Sequence, residues 1–337
     1  MIVLLVPLML AAALAATALG GPRLLRAAAP ALMRIPRTAV ALLLSAAMLW
    51  LLAAAAVSLM SAWLITGPDI LPASLAGVCE RCLAAATPFA SAATIDTVVP
   101  ESLLLALPIV ALSVLLSVGL VRGMRRRHAT RAVARDVAVR SRQAVIQGHH
   151  VLVARERHPI AYSLPRHHGG IVISDALVAA LRTDELAAVL AHEQEHVRGR
   201  HHLVLAILDA LVIPIRWLPF MSAIAGAVPH YLEIAADEAA RRHAGTPALA
   251  SALLKLGTPR AAAATASASA ERGTGIATLL HAAGPDRIRH LVAPPRIGSA
   301  IAPISVLGAV ATGFAFVTVA VHGPYLSVLV NGCRLPL

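Results

Sequence analysis

The chain has 337 residues, of which 58% are hydrophobic and 14% charged, with 29 Lys and Arg against 17 Asp and Glu. Soluble domains carry about a quarter charged residues, so this composition excludes a purely water-soluble globule and points to an integral membrane protein. The formal net charge of +12 does not indicate direct nucleic-acid binding, because the arginines sit beside apolar segments, where membrane topology places them.

Residues 1–20 are apolar, about long enough to span a bilayer, and lack the basic start of a secretory signal. They predict a spanning helix with its N-terminus outside. The stretch 21–37 carries Arg23, Arg26, Arg34 and Arg37 and no acid, so it is expected on the cytoplasmic side. Residues 38–66 predict a second span. The loop 67–101 holds Asp69, Glu80, Asp96 and Glu101 against Arg81 and is expected outside. Three cysteines are too few for a disulfide framework, and the lone pair Cys79 and Cys82 predicts a local disulfide or two free thiols. Residues 102–121 predict a third span. The arginine run from Arg122 to Arg142 that follows is the strongest inside signal, and it can also touch anionic lipid.

Residues 123–298 are more polar and predict a cytoplasmic α+β domain. The runs 151–154 and 170–173 read as strands. The segment 158–164 is a candidate edge strand for an extended peptide. Ser174 and Thr183 are expected N-caps for helices opening at Asp175 and Asp184. The second of these helices carries His192-Glu193-Gln194-Glu195-His196, an HExxH motif. Residues four apart share one helix face, so His192 and His196 can offer two imidazoles to one metal. Glu193 stands beside them as general base, which is the arrangement of a zinc protease. A catalytic zinc needs a third protein ligand. Glu233 is the candidate, with Asp237 one turn on to hold the second ring nitrogen of a ligand histidine. Arg241, Arg242 and His243 are candidates for stabilising an oxyanion, although solvated basic residues are the simpler reading.

The stretch 203–228 is apolar enough for another span, but crossing would put His196 and Glu233 on opposite sides. It also contains Asp209, Pro214, Arg216 and Pro219, which are costly at mid-depth. It therefore predicts a membrane-dipping segment, or a buried helix pair, that returns to the cytoplasmic side. Residues 261–275 read as a low-complexity linker and 286–295 as a short helix stopped by prolines. Residues 299–321 predict the last span, with 322–337 a short external tail. The adjacent pairs His149–His150, His167–His168 and His201–His202 point apart and are expected on the surface, His201 and His202 being nearest the motif.

This arrangement resembles the BlaR/MecR-type antirepressor metalloproteases (metallopeptidase family 56). The resemblance is carried by His192, Glu193, His196, Glu233 and Asp237, by the lead-in GGIVISDALVAALRTDELAAVLAHEQEHVRGR and by the later RIRHLVAPP. It implies a multi-pass α-helical membrane protein of the inner (plasma) membrane with a cytoplasmic gluzincin domain. One zinc would be held by His192, His196 and Glu233. The implied substrate is a cytoplasmic or membrane-proximal protein, in particular a transcriptional repressor in a stress or antibiotic response. The penicillin-binding sensor that β-lactam receptors carry beyond the last span is not expected here. Two other readings compete: an HtpX-like membrane quality-control or prenyl-protein endopeptidase, and a non-catalytic signalling scaffold with a vestigial zinc site. The intact Glu193 speaks against the scaffold, because a structural site needs no general base.

Overall fold

The computed structural model describes residues 2–66, 101–256 and 301–331. The expected external loop with Cys79 and Cys82, the linker at 261–275 and the short helix at 286–295 lie outside the described residues.

Helices α1 (Ile2–Leu32) and α2 (Pro36–Thr66) form a hairpin. α1 continues past residue 20 to Leu32, because the stretch after Gly21 is rich in Leu, Ala and Arg, all strong helix formers. Pro22 and Pro30 stand inside it. Neighbouring helices make such prolines tolerable in apolar bundles. α3 (Glu101–Arg140) is a single helix about 60 Å long that carries the arginine run without a break. The C-terminal helix α9 (Ile301–Asn331) extends beyond the expected 299–321.

Among the described residues, three helices are long and apolar enough to cross a membrane: Leu5–Leu32, Pro36–Ser58 and Ala302–Gly323, with mean hydropathies of 1.7, 2.4 and 2.2. They mark the chain as membrane-associated. The expected span 102–121 falls on α3, where the side chains of the first turn lie outside the described residues.

The α1–α2 hairpin is packed in two tiers. In the first, Leu10 and Leu14 of α1 and Ala53, Ala56 and Met60 of α2 meet Phe314 and Val321 of α9. Trp50 Nε1 donates to Thr17 Oγ1 at 3.1 Å and ties α2 to α1. In the second tier, Leu25, Ala28 and Leu32 of α1 and Val40, Leu43 and Ala47 of α2 meet residues of a second hairpin. That hairpin is built from α6 (His201–Leu211), a 3-10 turn (Ile213–Ile215) and α7 (Pro219–Ala244).

The second hairpin inserts between the long helices. Arg126 of α3 pairs with Asp209 of α6, which gives the charge in this apolar stretch a partner. A Cβ on Gly119 of α3 would lie 3.1 Å from Ala210 Cβ. On the returning arm, the Phe220 ring occupies the space over Gly21, where a Cβ would sit 2.4 Å from the ring. The hairpin therefore reaches about 16 Å along α1 from its Leu32 end.

The remaining elements form a small α+β unit. Four strands, β1 (Ser141–Ile146), β2 (His149–Ala154), β3 (Ala161–Ser163) and β4 (Ile171–Ser174), lie in the order β1-β2-β4-β3. β2 and β4 are parallel, and the other two pairs are antiparallel. The runs at 151–154 and 170–173 thus fall on β2 and β4, and the 158–164 segment supplies the edge strand β3, which lies alongside the motif helix. β1 is an addition to the expected strands. Its hairpin turn uses Gln147 and Gly148, at φ 48° and 79°. Both central residues of such a turn need positive φ, and Gln is an uncommon choice there. The polar sequence of β1 gave no other strand signal.

Short helix α4 (Asp175–Ala180) follows β4 and is capped by Ser174, whose Oγ accepts from the Leu177 N–H at 3.0 Å. The motif helix α5 (Thr183–Arg198) starts one residue earlier than expected, because Glu185 reaches back to the Arg182 N–H at 2.8 Å. α8 (Thr246–Leu256) closes the unit against the first half of α5.

Candidate metal centre

The centre lies where α5 crosses α7. α5 buries His192, Glu193 and Glu195, and α7 buries Glu233 and Asp237. Charged side chains are rarely buried unless they are paired or bind metal. His192 Nε2 and His196 Nε2 are 3.1 Å apart. Glu233 brings Oε2 to 3.5 Å from the first ring and Oε1 to 3.4 Å from the second. Four-coordinate zinc, with bonds of about 2.0–2.1 Å, separates its ligand atoms by roughly 3.3 Å. Each ring nitrogen faces a different oxygen of Glu233 at about that spacing, and the nitrogen and carboxylate donors are of the type zinc takes. Among the described residues, His192, His196 and Glu233 form the group that is able to hold a metal ion.

The second nitrogens of both rings are also occupied. His192 Nδ1 lies 3.1 Å from Asp237 Oδ1. Burial resists a charge on His192, but the carboxylates of Asp237 and Glu233 outweigh it and hold the ring's pKa up at about 10. To ligate a metal through Nε2 the ring would give up the proton on that nitrogen, with Nδ1–H held by Asp237. His196 Nδ1 lies 2.6 Å from Nδ1 of His201. Burial pushes the His201 pKa down to about 4, so its ring is neutral. If His196 Nε2 is the nitrogen turned to a metal, its proton stands on Nδ1 and His201 Nδ1 accepts it. The sequence placed His201 on the surface, yet it is buried. Its nearness to the motif was the one available signal.

Glu193 is 2% exposed and adjoins His192 in the chain. Arg241, Arg242 and His243 stand outside the ligand group, exposed in the last turn of α7. Arg242 is bound to Glu238 at 3.1 Å, and the His243 ring meets His149 edge-on. The second acid of the motif, Glu195, is buried and accepts from Arg37 at the start of α2, with Nη2 at 2.6 Å and Nε at 3.0 Å from Oε1. Nothing in the sequence paired these two residues.

Residues 124–231 match the family model of Peptidase family M48. The matched stretch includes the sheet, the HExxH helix and most of the second hairpin, and stops just short of Glu233. The match supports a metallopeptidase, with a domain similar to M48 peptidases in a chain that carries long apolar helices. Neither the curated proteins nor the solved structures gave a match.

Proposed function

We propose that this chain is an integral-membrane zinc endopeptidase that hydrolyses peptide bonds in a cytoplasmic or membrane-proximal protein. The observation that carries the reading is the convergence of His192 Nε2, His196 Nε2 and the two Glu233 oxygens into a group able to hold one ion. Zinc, when bound there, would supply a Lewis acid that polarises the scissile carbonyl and acidifies a water. Glu193 would take the proton of the attacking water and return it to the leaving amine. Asp237 and His201 each accept an Nδ1–H from a ligand ring, which leaves Nε2 of both rings for the ion. The edge strand β3, beside α5, offers a backbone to an extended substrate. Arg241, Arg242 and His243 serve as solvated surface groups.

The second hairpin is a membrane-dipping element in this reading. Leu203, Ile207 and Trp217 on its outer side are 48%, 44% and 76% exposed, an apolar surface suited to lipid. Basic residues are enriched on the inner side of membranes, so the arginine-rich part of α3 favours a domain, and with it a metal centre, on the cytoplasmic face of the inner (plasma) membrane. A repressor as substrate rests on the likeness of the span arrangement to the BlaR/MecR type. The matched family is a different one, M48, and this favours keeping the HtpX-like quality-control endopeptidase as a second reading.

The test compares newly formed protein N-termini in cells expressing wild type and Glu193→Ala, together with the zinc content of both purified proteins. Glu193→Ala should retain zinc and lose all wild-type-specific termini. A repressor among the lost termini selects the antirepressor reading, and damaged or prenylated membrane proteins select the second. Wild-type termini persisting in Glu193→Ala would overturn the assignment.

A further inference from the structure

The pair Arg37–Glu195 joins residues 158 apart in the chain, one in the turn region of the α1–α2 hairpin and the other between the two metal-site histidines. Glu195 is 5% exposed and is therefore shielded from water, while Arg37 is half exposed and reaches in from the hairpin. Both hydrogen bonds converge on the same carboxylate oxygen. Charge-assisted bonds of this type are shorter and stronger than neutral ones and fix orientation as well as distance.

We propose that Arg37 is a positioning residue for the metal centre: through Glu195 it locks the rotation of α5, and so the directions of His192 and His196, to the α1–α2 hairpin. The inference rests on the metal-site reading above. α5 is gripped elsewhere as well. Its first turn is held by α8, where Lys255 Nζ and Ser251 Oγ each donate to Glu185 at 2.6 Å. Those contacts lie two to three turns away from the histidines. Ligand atoms sit about 5–6 Å from the axis of their helix, so a rotation of about 10° displaces them by about 1 Å. A metal site tolerates about 0.2 Å. Clamping the helix at the motif itself is therefore worth more to the ion than clamping its far end. Glu195 also adjoins His196 in the chain. One side chain therefore links the α1–α2 hairpin to the residue beside the second histidine.

The test uses the full chain in detergent, loaded with Co2+ in place of zinc. It reads the visible absorption spectrum of the cobalt and, separately, the zinc affinity by competition with a chelator. Arg37→Gln and Glu195→Gln should each lower zinc affinity about 10–100-fold and shift the cobalt bands, and the double variant should be no worse than either single one. Arg37→Lys should restore part of the affinity. Arg26→Gln removes the same charge from the same hairpin and should change neither readout. Arg37→Lys and Glu195→Gln keep bulk and polarity, so they carry the test where Arg37→Gln does not fold. Wild-type spectrum and affinity in both of these variants, with cooperative unfolding retained, would overturn the proposal. Failure of the wild type to give a tetrahedral cobalt spectrum would overturn the metal site itself.

Discussion

The two tiers of the α1–α2 hairpin are made of the same material and serve different ends. Both are seams of Leu, Ala and Val between long helices. The first is closed by α9, another membrane-type helix. The second is closed by α6 and α7, which continue directly into the metal centre. α7 uses Phe220, Met221, Ile224 and Val228 in the seam and then, two turns later, places Glu233 and Asp237 against α5. Packing in the first tier thus holds the bundle together, whereas packing in the second also sets where half of the site stands. Identical apolar chemistry acquires a functional consequence from the element that completes it.

That contrast can be broken at the site end first. Asp237→Asn leaves both tiers intact and removes the carboxylate on His192, and should cost about 10–100-fold in zinc affinity, read by chelator competition. A smaller loss would mean that α7 contributes a seam and little else. Next, Gly21→Leu should push Phe220 out of the second tier, at a cost of about 1–3 kcal/mol, and lower zinc affinity by up to about tenfold, since 1.4 kcal/mol is a factor of ten. Phe220→Ala in the same chain should recover the affinity. In the first tier, Phe314→Ala should lower the thermal unfolding midpoint through a loss of about 3–5 kcal/mol of packing and leave zinc affinity unchanged. Equal effects of the two tiers on zinc would dissolve the distinction.

The smallest expected effect concerns the far end of α5. Hydrogen bonds from Lys255 and then Ser251 hold the Glu185 carboxyl well below its ordinary range, at about 2. A depressed folded-state pKa adds stability above the unfolded value of 4.5, and that stability is lost as pH falls from 4.5 through about 2. In metal-free protein, the gap in unfolding midpoint between wild type and Glu185→Gln should be constant above pH 4.5 and close below it. Zinc affinity at neutral pH should be the same in both. A gap that stays open at pH 2 would mean that Glu185 acts through packing and not through its charge.

Much of this was readable locally. HExxH declares its own geometry, because four residues return a helix to the same face. Apolar runs declare long helices, and Ser174 declared its cap. Helix ends were less legible: α1 and α9 run past the apolar stretches that marked their spans, α1 because the Leu, Ala and Arg after Gly21 are strong helix formers. β1 was hidden by its polar sequence and by a turn built on Gln147.

By itself the sequence pointed to His192, His196 and Glu233 as a group able to hold a metal, and predicted that 203–228 turns back so that His196 and Glu233 can meet. Only the tertiary structure decided which groups stand behind the ligands. His201 meets the Nδ1 of His196, and Arg37 holds Glu195 from 158 positions away. Motif spacing is set by the repeat of a single helix, whereas these contacts depend on how separate helices cross, and that is fixed by the seams that pack them.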